Sequence, residues 1–106
     1  MDCHTMSVIG PPLAPDPGRK RPLICLSNGN GTCPEEWISS LASCLTIVFK
    51  EQVAINTPFR GGHITRSHGV EMPWVQIEIS QTDAYSNAFK RNCMLDGLQR
   101  FCHTVF

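Results

Sequence analysis

The stretch from Pro22 to Asn56 constrains this chain more than any other, because it reads as strand, helix and strand in immediate succession. Leu23-Ile24-Cys25-Leu26 is a short continuous apolar run, the pattern of a strand buried on both faces, and Ser27-Asn28-Gly29-Asn30-Gly31 closes it with a tight turn. Thr32 and Glu35 have the spacing of a capping box, and Pro34 falls in the first turn, where a missing N–H does no harm. Trp37, Leu41, Cys44, Leu45 and Val48 then recur at helical intervals, so the segment to about Lys50 presents one apolar stripe to a sheet. Val53 to Asn56 completes a βαβ unit, which implies a right-handed crossover and parallel strands. Ligands in such sheets gather beyond the carboxyl ends of the strands. The turn after Leu26 and the loop after Asn56 are therefore expected to meet at one edge, with Asn28, Asn30, Arg60 and Arg66 around it.

Beyond Asn56 the chain concentrates its reactive side chains. Arg60 to His68 contains two arginines, two histidines (His63, His68) and no acid, with Gly61-Gly62 after the first arginine. Paired glycines let the backbone come close to a ligand, and an arginine fork fits a carboxylate, so this loop suits an anion. Loops of this length inside a small domain are more often functional than decorative. In the strand that follows, Val75, Ile77 and Ile79 alternate with Gln76, Glu78 and Ser80. If both faces of the sheet are covered, the Glu78 carboxylate is partly desolvated, the condition under which a glutamate serves as a proton shuttle. An outward, solvated glutamate is the ordinary alternative.

The segments NTPFRGGHITRSHG and WVQIEISQ, with PLICLSNGNGTC upstream, resemble the C-terminal region of the N-formylglutamate amidohydrolase (deformylase) family, over roughly residues 22 to 85. The resemblance implies a zinc-dependent hydrolase that splits N-formyl-L-glutamate into formate and glutamate in histidine breakdown. It also implies a fold related to the phosphorylase/hydrolase-like zinc peptidases. By position it assigns a catalytic acid/base role to Glu78. Arg66 becomes a clamp for a substrate carboxylate, and Arg60, Gly61, Gly62, His68 and Asn56 become substrate-binding residues. Zinc is expected for the family, but no ligand for it is identifiable in this chain, and Tyr85 lies further along than the family's tyrosine. The chain is accordingly expected to be a truncated form without the metal centre. The alternative is a non-catalytic remnant, or a small module that binds a carboxylate through Arg60 and Arg66.

The remaining segments bear on architecture. Pro11, Pro12, Pro15 and Pro17 with Gly10 and Gly18 make residues 1–20 a Pro/Gly-rich leader, expected to be disordered, with residues 21–106 as the domain. From about Asp83, a candidate N-cap, to the end, Met94, Leu95, Leu98, Phe101, Cys102 and Val105 follow a helical period, Gly97 is a weak point, and Lys90, Arg91 and Arg100 form a solvated face. The expected fold is thus α/β, a mainly parallel three-stranded sheet with packing helices. The six cysteines lack secretory context and C-x-x-C spacing, so they read as buried free thiols; Cys3-His4 and Cys102-His103 are weak as zinc ligands. Nine basic and nine acidic residues balance, which argues against nucleic acid and anionic membranes as partners, and no apolar run is long enough to span a bilayer. The expected setting is cytoplasmic, the expected partner a small anionic acyl-amino acid. A three-stranded sheet would also expose an edge to which another chain could pair, leaving the isolated chain marginally stable.

Overall fold

The computed structural model describes residues 1–29, 31–61, 67 and 71–105. Its elements in chain order are β1 (Asp2–Met6), β2 (Ile24–Ser27), α1 (Glu35–Phe49), β3 (Val53–Ile55), β4 (Gln76–Ser80) and α2 (Asn87–Val105). The strands form one sheet in the order β1-β4-β2-β3. The βαβ unit forms as the apolar run and stripe require: β2 and β3 pair in parallel, Ile24 beside Val53 and Leu26 beside Ile55.

The sheet differs from the three-stranded parallel one expected. It has four strands and is mixed, because β4 runs antiparallel to β2 and lies between β2 and β1. The connection from β3 to β4 returns the chain at the end of the sheet where β2 and β3 finish, so β4 must run the other way. An alternation of period two marks a strand's faces and not its direction.

The first twenty residues also depart from a structureless leader. β1 pairs in parallel with the whole of β4, from Asp2 beside Gln76 to Met6 beside Ser80. With one buried side chain, Met6, it carries little apolar signal of its own, and the open edge of β4 supplies its pairing. Residues 7–21 then double back as an ordered arm: Ile9 bridges Lys20, the Gly10 N–H donates to Arg19 O (2.8 Å), and the Arg21 N–H donates to Val8 O (2.9 Å). At Gly10 a Cβ would sit 1.9 Å from the Asp16 carbonyl oxygen, so the turn closes only on glycine.

Alternation divides the strands into two faces. Ile24, Leu26, Val53 and Ile77 turn to one side and build the core with Ile38, Leu41, Leu45 and Phe49 of α1 and Met94 and Phe101 of α2. Both helices lie on this face and pack against each other where Gly97 meets Leu45; a Cβ there would come within 2.5 Å of Leu45 Cδ2. The glycine that weakens α2 in isolation is what lets the two helices approach.

Four local expectations are corrected. No capping box forms: the Thr32 hydroxyl faces the carbonyls of Asn28 and Trp74, and α1 starts after Pro34 with Glu35 and Glu36 in its dipole-favoured first turn. α2 begins at Asn87, where the Ser86 hydroxyl, not Asp83, accepts the Phe89 N–H (3.0 Å). Lys90 is buried at 9% exposure, its ammonium donating to Ser80 O (2.9 Å) and Thr82 O (2.8 Å) just after β4, so a side chain read as solvated ties α2 to the sheet. All six cysteines are free, but only Cys25, Cys33 and Cys44 are buried; Cys3 and Cys102 are exposed. No described helix is long and apolar enough to cross a membrane.

Candidate functional site

The second face of the sheet is polar because the residues between the core positions are polar. Register aligns Asp2, Gln76 and Ser27 in one cross-strand row, and His4, Glu78 and Cys25 in the next. Glu78 sits in the middle of this face at 8% exposure, and its Oε1 accepts a 2.6 Å hydrogen bond from Gln76 Nε2. The burial expected of a carboxylate on a covered sheet is present.

Two segments close over this face. From the arm, Arg21 (7% exposed) reaches in, donating through Nε and Nη2 to the two carboxylate oxygens of Asp16 (3.0 Å each) and through Nη1 to Ser7 Oγ (3.1 Å). From the loop after β3, the Phe59 carbonyl accepts from Ser27 Oγ (2.7 Å), and its ring lies 4.7 Å beneath the Arg21 guanidinium.

Electrostatics tie these groups together. The fork on Asp16 holds Arg21 above its ordinary value against the opposing effect of burial, and the same pairing holds the Asp16 carboxyl below its ordinary range. Asp2, hydrogen-bonded to His4 at 2.7 Å, raises the imidazole, while burial raises the Cys25 thiol. The charge of Glu78 contributes to the upward shifts of Arg21, His4 and Cys25, which come from three different segments. Glu78 is thus the charge that these polar groups share.

At the carboxyl ends of β2 and β3, the two loops expected to meet do so through a reciprocal amide pair. Asn56 Nδ2 donates to Asn28 Oδ1 (2.9 Å) and the Asn28 N–H donates to Asn56 Oδ1 (3.1 Å). The Gly29 N–H adds a bond to the Arg60 carbonyl (2.7 Å). Asn56 takes a left-handed backbone, φ 57°, which turns the chain out of β3 and aims its amide at Asn28. An open cleft of about 620 Å³ lies here, lined by Asn28, Gly31, Glu35, Ile38, Ile55 and Asn56.

Of the residues singled out from sequence, Asn28 and Asn56 are therefore brought together. The Arg60 side chain is exposed, and Gly61 has φ 96°. Glu78 stands on the polar face rather than in the cleft. Arg66, Gly62, His68 and Asn30 lie outside the described residues. Arg21 and Gln76 were not picked out. Gln76 carried a signal, since alternation already put it on the side of Glu78; Arg21 carried none beyond preceding the first apolar run. Among the described residues no three His, Cys, Asp or Glu side chains are grouped so that they could hold a metal ion.

Comparison with known proteins follows the same lines. No curated protein sequence matches the chain. Among solved structures, the chain resembles the crystal structure of N-formylglutamate amidohydrolase from Ralstonia eutropha JMP134 with a TM-score of 0.65 and 20% identity. The match takes in 95% of this chain, which spans 41% of that one. The model of the family described as N-formylglutamate amidohydrolase matches residues 1–85, a span that includes β1 and the arm. The chain belongs to the N-formylglutamate amidohydrolase family.

Proposed function

We propose that this chain acts in the hydrolysis of N-formyl-L-glutamate to formate and glutamate, with Glu78 as the acid/base carboxylate. The observation that carries this reading is the burial of Glu78 on the polar face, in a chain of this family, with one oxygen held by Gln76. In this reading Glu78 accepts a proton from the water that attacks the formyl carbon. It returns that proton to the departing amine nitrogen as the C–N bond breaks. Arg60 and Arg66 receive the substrate carboxylates, Gly61 and Gly62 let the backbone approach, and Asn56 and His68 complete the binding loop. The family implies zinc; no group of three ligand side chains stands among the described residues, and no step is routed through a metal.

Formate release from N-formyl-L-glutamate, measured with added zinc for the wild-type chain and Glu78→Gln, tests the reading. Release that falls by about 100-fold or more in Glu78→Gln supports it. Equal release by the two proteins removes Glu78 from the chemistry. Binding without release that weakens in Arg60→Ala and Arg66→Ala would instead make the chain a carboxylate-binding module.

A further inference from the structure

We propose that Gln76 is a positioning residue that fixes the orientation of Glu78. The inference rests on the assignment of Glu78 above but is tested apart from it. Gln76 and Glu78 are two residues apart on one strand and so share a face. Their 2.6 Å contact admits one polarity, because only the amide nitrogen can donate to a carboxylate.

The neighbours of Gln76 on the polar face have partners of their own. In its cross-strand row, the Ser27 hydroxyl is committed to the Phe59 carbonyl (2.7 Å) and the Asp2 carboxylate to His4 (2.7 Å). Glu78 Oε1 accepts from the Gln76 amide, so one oxygen of the carboxylate is anchored by its own strand.

The test follows the mobility of the Glu78 side chain by NMR relaxation in the folded chain with labelled glutamate. Gln76→Met keeps length and loses the donor. Gln76→Asn keeps an amide one methylene too short to reach, so it serves if the first variant folds poorly. Both raise the mobility of the Glu78 side chain above that in the wild type, because the amide no longer holds Oε1. In formate release, Gln76→Met lowers kcat and leaves KM within about two-fold, the pattern of a contact used in the transition state. Unchanged mobility of Glu78 in both Gln76→Met and Gln76→Asn overturns the proposal. If the wild-type chain releases no formate, the hydrolytic reading fails while the relaxation measurement still decides the role of Gln76.

Discussion

The two faces of this sheet are built from alternate residues of the same strands and have opposite properties. On one, Ile24, Leu26 and Ile77 are fully buried against two helices. On the other, Glu78, Ser27 and Arg21 are equally withdrawn from water, but each is hydrogen-bonded, and the cover comes from a loop and an arm rather than from packed helices. Burial alone therefore does not separate core from site. A buried apolar side chain stabilises by leaving water. A buried polar one must be satisfied by partners, and those partners also aim it. The first face holds the fold together, and the second holds side chains in fixed places.

This contrast predicts unequal responses to substitution. The largest effect belongs to the apolar face: Leu26→Ala, emptying a position with no exposure, destabilises by about 3 kcal/mol in chemical denaturation. A loss below about 1 kcal/mol would mean that the helices do not close on the sheet as described. A smaller and pH-dependent effect belongs to the polar face. The Asp16 carboxyl is lowered in the folded chain by Arg21, so the stability it contributes is fully present above the ordinary carboxylate range. That contribution is lost as pH falls through the lowered value. Amide protection of Gly10 and Arg21, which close the arm, should fade over that acid window in the wild type. Asp16→Asn should have less protection and no such limb. An identical acid limb in the variant would detach the arm from the pair.

How much of this was legible depends on whether a residue's signal is local. The β2-α1-β3 unit was legible because a buried run and a 3.6-residue stripe each declare themselves within a few residues. The meeting of the loops after β2 and β3 followed from the parallel sense of that unit, and the Asn28–Asn56 pair realises it. β1 was not legible, since Cys3 and Thr5 are not a strand signal until the edge of β4 is beside them. Lys90 and Arg21 were misjudged or missed for one reason: a cation reads as solvated until carbonyls or a carboxylate from distant segments are found around it. In the site, the alternation placed Glu78 and Gln76 on one face, but only the fold showed the contact between them.

The division of labour between the faces is tested most directly by titrating N-formyl-L-glutamate into the labelled chain and following both faces by NMR. The account predicts that the Glu78 carboxyl and the Gln76 amide signals move together and saturate, while the methyl signals of Leu26, Leu41 and Leu45 in the helical core stay in place. Saturable shifts confined to the core methyls, or none at Glu78 at saturating ligand, would contradict it.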